Sequence, residues 1–132
     1  MKEIPVGAKG QFELVVQPEH LANQFKDSVL PPVLATPVMI MVMENAALNA
    51  SKPYLEPGVS AVGTRVDIRH LAPTPVGASV FGEAEVMRVD GRRVEFNVRA
   101  RDETEEIGAG THERVIVDLA RLARRLDAKR AR

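Results

Sequence analysis

The segment from Thr36 to Tyr54, TPVMIMVMENAALNASKPY, constrains the fold of this chain more than any other. Thr-Pro at 36–37 is a helix start: threonine can cap, and a proline at the first helical position lacks an N–H that would have no partner there anyway. The residues after it are apolar on every side of the helix. At about 100° per residue, the face of Glu44 carries Pro37, Ile40, Met41, Ala47 and Leu48, and the opposite face carries Met39, Val42 and Ala46. A helix with no polar face is normally buried, and this one holds a single carboxylate at its middle. A carboxylate in an interior needs partners or a changed pKa. Glu44 therefore requires partners from the rest of the chain.

Before the helix, QFELVVQ at 11–17 alternates as a short strand and Pro18 ends it. Residues 19–26 fit one or two helical turns. Leu30-Pro31-Pro32 can be neither regular helix nor central strand, so it is a rigid loop, placed to form a wall or lid beside the helix. After the helix, Pro53, Pro57 and Gly58 turn the chain. Strand-like runs occupy 60–70, 79–89, 92–101 and 107–118. Asp90-Gly91 reads as a hairpin turn and 102–106 as the next reversal. Residues 119–132 form a basic tail with Leu119, Leu122 and Leu126 at helical spacing, expected to be a short, partly frayed helix. The order predicts an α+β fold, one long central helix wrapped by a five-stranded antiparallel sheet. The helix is more apolar than one sheet can cover, which points to a second copy of the chain.

At 132 residues the chain is the size of one domain, 1–132. Balanced charge, from 18 basic and 18 acidic side chains, excludes a nucleic-acid binder driven by net charge. With aromatics at 4%, a base-stacking surface is excluded as well. There is no cysteine, hence no thiolate chemistry, and with three histidines a three-histidine metal site is not expected. No apolar run is long enough to span a bilayer and MKEIPVGAKG has no signal core, so a cytoplasmic protein with no membrane partner is expected. Phosphate-loop, dinucleotide and serine-elbow motifs are absent.

Glu44 heads the candidates. His70 ends the 60–70 strand. Strict alternation puts it on one face with Val62, Thr64, Val66 and Ile68, and puts Gly63, Arg65, Asp67 and Arg69 on the other. A core-facing histidine is more often structural than catalytic, but beside a buried glutamate it becomes an acid/base group. Thr36 lies two turns from Glu44, about 12 Å along a helix, so its hydroxyl is expected to meet a ligand or His70. Gly63 within a strand marks either a bulge or an N–H exposed to polarise a carbonyl. His112 and Arg114 share a strand face with Ile116, and that face is read as solvated.

These residues together resemble a known family. Thr36 with MENAA around Glu44, KPYLEPG at 52–58, VGTRVDIRHLAPTPVG at 62–77 and EIGAGTHERVIV at 106–117 are similar to the fluoroacetyl-CoA thioesterase-like family of hotdog-fold proteins. The resemblance implies hydrolysis of an acyl-CoA thioester by a homodimer, in which coenzyme A belongs to the substrate and no other cofactor is used. It puts catalytic roles on Thr36, Glu44 and His70. Gly63 would polarise the thioester carbonyl, and Arg114 and loop residue Leu30 would line the substrate site. One departure stands out. The fluoroacetyl-specific enzyme carries aromatic residues in the loop ahead of the threonine, whereas DSVLPPVL at 27–34 has none, which implies a different short acyl group. A non-catalytic acyl-CoA binding module and a hotdog enoyl-CoA hydratase are alternatives on the same fold.

Overall fold

The computed structural model describes residues 3–131. Strand β1 (Lys9–Val15) leads through a 3-10 turn (Pro18–His20) and the one-turn helix α1 (Ala22–Phe25) to the long helix α2 (Thr36–Ser51). Strands β2 (Val59–His70), β3 (Ser79–Asp90), β4 (Arg93–Arg101) and β5 (Glu106–Asp118) come next, and helix α3 (Leu119–Arg130) comes last. The five strands form one antiparallel sheet in the order β1-β3-β4-β5-β2. The expected α+β architecture is thus the observed one. The hairpin turn falls one residue later than expected. Asp90 pairs with Arg93 in the ladder, and Gly91 turns the chain at φ 62°. Helix α3 is regular, because Asp118 caps it by accepting from the Arg121 N–H at 3.0 Å.

Helix α2 lies on β1 and β3 and buries Met39, Val42, Met43, Ala46, Ala47 and Ala50 against Val80, Val86, Phe96 and Val98. The approach is close enough that a Cβ on Gly10 would run into the backbone of Ala46 and Ala50, so β1 can pass under the helix only with glycine there. The other side of α2 corrects the expectation of a wholly buried rod. Met41 is 37% exposed, and the Glu44 side chain is 36% exposed. One sheet covers one side of the helix, and Glu44 projects from the other.

Strand β2 is an edge strand, and its pairing with β5 slips between Gly63 and Arg65. This bulge corrects the face assignment made by strict alternation. Gly63 pairs with Arg114, and Val66 with His112. Thr64 is therefore the extra residue, and Gly63 comes onto the same face as His70. Thr64 turns its hydroxyl to the Glu113 carboxylate, 2.6 Å away. The segment before α2 is tied down at both sides. Leu34 N–H donates to Thr74 O at 2.9 Å, and Ala35 N–H donates to His20 O at 2.9 Å. Thr74 is in turn buried and donates its hydroxyl to the buried Asp102 at 3.0 Å.

Candidate active site

The first group of site residues sits where α2 begins. The N-cap is Ala35 and no side chain caps the helix, so Thr36 is the first helical residue and not the cap that Thr-Pro suggests. Its hydroxyl instead lies 2.8 Å from His70 Nδ1. His70 closes β2 and is half-buried, and the chain after it is held by Leu71 N–H donating to Ile107 O at 2.7 Å. Burial pushes the imidazole below its ordinary pKa, with an opposing hydrogen-bond interaction at the Ala72 backbone. It is a neutral base at neutral pH. Its Nε2 is buried and makes no hydrogen bond among the described residues. An open cleft of about 580 Å³ runs past this pair, walled by Leu30, Val33, Leu34 and Pro73. Leu30, 41% exposed, forms the rim of that cleft.

The second group surrounds Glu44. Arg114 on β5 brings Nη1 to 3.9 Å from Glu44 Oε2, an ion pair too long to be a hydrogen bond. The guanidinium is buried, with Nη2 donating to Ala61 O at 2.7 Å and Nη1 donating to His112 Nε2 at 3.2 Å, while Nε has no partner among the described residues. Burial lowers the Arg114 pKa and the Glu44 charge opposes that. Gly63 completes the group: a Cβ there would stand 2.9 Å from Glu44 Oε2. A methyl group there would force the carboxylate to shift.

His112 and Arg114 correct the reading of their strand face as solvated, since they are 2% and 8% exposed. Alternation makes their shared face legible, but not their cover. Phe96 of β4 stacks on His112 with ring centroids 6.1 Å apart, and the Arg65 carbonyl of β2 meets His112 Nδ1 at 2.8 Å. Sequence reasoning misses His112 as a site neighbour. The signal available for it is its position two residues from Arg114 on the same face.

Within one chain the two groups stand apart. Thr36 and Glu44 are separated by two turns of α2, about 12 Å. Gly63 and His70 are separated by seven residues of β2, about 23 Å at strand rise. A larger open groove of about 980 Å³ lies over β1, β3 and β4 beside Phe81, Glu83 and Arg101, and no candidate residue lines it. Among the described residues there is no cluster of three or more metal-ligating side chains, and no helix is long and apolar enough to cross a membrane.

Residues 16–120 match the model of the family described as fluoroacetyl-CoA-specific thioesterase. A fluoroacetyl-CoA thioesterase of Streptantibioticus cattleyicolor is 40% identical over 119 residues, covering 86% of each chain. A solved structure of the fluoroacetyl-CoA thioesterase superposes with a TM-score of 0.91 at 35% identity, over 97% of this chain and 98% of that one. A hot-dog-like protein from Thermanaerovibrio acidaminovorans superposes with a TM-score of 0.84 at 25% identity, over 96% of this chain and 93% of that one. The sheet and its central helix are thus those of the hotdog fold.

Proposed function

We propose that this chain, which belongs to the fluoroacetyl-CoA-specific thioesterase family and is an acyl-CoA thioesterase, hydrolyses a short acyl-CoA with Thr36, Glu44 and His70, at sites shared between two copies of the chain. The observation that carries this reading is the backbone of Gly63 lying directly under the Glu44 carboxylate. A carboxylate standing over a strand residue with no side chain leaves room for a thioester carbonyl beside it, with the Gly63 N–H as the proposed donor to the carbonyl oxygen.

In the reaction an oxygen nucleophile adds to the acyl carbon, the C–S bond breaks, and the sulfur leaves with a proton as coenzyme A thiol. Glu44 serves either by taking a proton from the attacking water or by attacking the carbonyl itself, the acyl group then passing to water. Arg114 lends its positive charge to this carboxylate from 3.9 Å. The Gly63 N–H polarises the carbonyl oxygen. His70, kept neutral by burial, exchanges the proton through its unpartnered Nε2, and Thr36 holds the ring through Nδ1. An acyl group found on Glu44 by mass spectrometry after rapid acid quench of a single turnover distinguishes attack by the carboxylate from activation of water.

A homodimer supplies what one chain lacks. Strand β2 is a twelve-residue edge with Val66 41% exposed, and Ile40, Met41 and Leu48 of α2 are incompletely covered. Exposed edges of this length pair readily with another strand. If two β2 strands pair antiparallel about a twofold axis through Asp67, with Thr64 the extra residue on each strand, His70 of each copy comes opposite Gly63 of the other. Each site then takes Thr36 and His70 from one chain and Glu44, Gly63 and Arg114 from the second. The cleft wall is aliphatic through Leu30, Val33 and Leu34, which favours a short acyl group other than fluoroacetyl. A cytoplasmic site of action fits an acyl-CoA substrate.

The test is thiol release from a panel of short acyl-CoAs by wild type, Glu44→Ala and His70→Ala. Turnover by wild type with sharp loss in both variants is expected. Equal rates in all three proteins would refute the assignment, and hydration of an enoyl-CoA without thiol release would favour a hydratase.

A further inference from the structure

The Glu44 carboxylate and the buried Arg114 guanidinium are opposite charges side by side, yet they stop at 3.9 Å. Unrestrained, such a pair closes to a direct, often two-pronged hydrogen bond of under 3 Å or so. Two acceptors hold Arg114 back: Ala61 O at 2.7 Å and His112 Nε2 at 3.2 Å. Arginine can only donate, so His112 Nε2 must be a bare lone pair. The Arg65 carbonyl, 2.8 Å from Nδ1, can only accept, so Nδ1 must carry the proton. The partners therefore fix both the tautomer and the neutral state of a ring that Phe96 already fixes in orientation.

The groups facing this ring are the charges of Arg114 and Glu113 on β5 and Glu44 on α2, with the Arg65 carbonyl on β2. Burial is the largest influence and holds the imidazole below its ordinary pKa; the hydrogen bond to Arg65 O opposes it, the Arg114 charge adds to it, and the two carboxylates oppose it. The same ring also reaches the bulge. Its Cε1 would lie 3.3 Å from a Cβ on Gly63, and its Nδ1 anchors the residue just after the extra Thr64. One side chain thus touches the cation and the bulged backbone that flank the reactive carboxylate.

We propose that His112 is a positioning residue for thioester hydrolysis: as a neutral imidazole protonated on Nδ1, it tethers Arg114 short of Glu44 and keeps the carboxylate oxygens free for water or substrate. This rests on the reading of Glu44 as the reactive group. Without the tether, Arg114 closes onto Glu44 and occupies the lone pairs that the reaction uses. A histidine that only supported the β2 bulge through Nδ1–H could carry a second proton on Nε2, whereas the contact from Arg114 excludes it.

Three variants separate these roles. His112→Phe keeps the ring on Phe96 and removes both polar contacts. His112→Gln can offer an oxygen near the Nε2 position to Arg114. His112→Asn can offer an N–H near the Nδ1 position to Arg65 O but does not reach Arg114. The expected result is a fall in kcat of about tenfold or more for Phe and Asn, as for other groups that orient a reactive residue. KM should stay within about twofold, and Gln should recover most of the kcat. Nitrogen-15 NMR of the unmutated protein should find His112 protonated on Nδ1 and bare on Nε2 at neutral pH, an outcome that needs neither turnover nor a folded variant. Wild-type kcat in His112→Phe, equal losses in Gln and Phe that track thermal stability, or a proton on Nε2 would each overturn the proposal. Absence of thiol release by wild type itself would instead refute the thioesterase reading, while the NMR result still tests the tether.

Discussion

The two halves of the site are built differently. The Thr36–His70 half is a single hydrogen bond at the mouth of an open cleft, between the first residue of a helix and the last residue of an edge strand. The Glu44 half is backed by a buried layer, in which Arg114 and His112 are held by carbonyls of β2 and by each other. The first half has more freedom to adjust to a substrate, because Thr36 and the Ala72 backbone are the polar contacts given for the ring and both lie at the end of an edge strand beside an open cleft. The second cannot move without breaking hydrogen bonds in the interior. A proton-exchanging group set on an adjustable edge and a carboxylate set on a rigid floor suit a reaction in which the leaving group departs and the attacked carbon must stay in place.

That contrast can be tested by substitution, beginning with the rigid half. Glu44→Ala should lower kcat by about a thousandfold, far beyond what a modest fall in melting temperature explains; that fall is expected because the buried Arg114 guanidinium loses the counter-charge 3.9 Å away. Gly63→Ala should come next at about a hundredfold, since its methyl group would stand 2.9 Å from Glu44 Oε2; the check is kcat together with an unchanged circular dichroism spectrum. On the adjustable half, Thr36→Val should cost about tenfold, seen in kcat and not in fold, since the hydroxyl caps nothing. A Thr36→Val effect larger than that of Gly63→Ala would invert the comparison.

The smallest effect concerns stability against pH. Burial holds both His70 and His112 below the ordinary value of 6.5. Between that value and the depressed native ones, the unfolded chain binds more protons than the folded one, so stability falls as pH falls through this window. Thermal melts should be flat above about pH 7 and decline as pH is lowered from 6.5. His112→Phe should decline less. Asp102, whose hydrogen bonds from Thr104, Glu105 and Thr74 outweigh its burial and lower its pKa, adds a further loss at lower pH.

Most of the architecture is legible from local pattern. The bounds of α2 and the four later strands come from prolines, glycines and periodicity, each a property of a few neighbouring residues. The features that are not legible depend on other elements. Alternation assigns Gly63 to the face away from His70, because one extra residue at Thr64 inverts the parity; Gly63 in the run VSAVGTRVDIRH marks a bulge as one of two readings, and strict alternation carries the parity straight through it. The burial of His112 and Arg114 depends on Phe96, Ala61 and the Arg65 carbonyl, all more than ten residues away in sequence. Glu44 reads as enclosed because the helix is apolar all round. The sheet covers only one side of it, and the remaining apolar surface is the part that a second copy would cover.

The central claim is that the two halves meet only between chains, and complementation tests it most directly. Glu44→Ala and His70→Ala chains carrying different tags can be coexpressed and the mixed dimer purified through both tags. In that dimer one composite site carries both lesions and the other carries neither. The account predicts about half of the wild-type activity per dimer, from two proteins that are each inactive alone. A mixed dimer as inactive as its parents would place Glu44 and His70 of one chain in the same site and contradict the account.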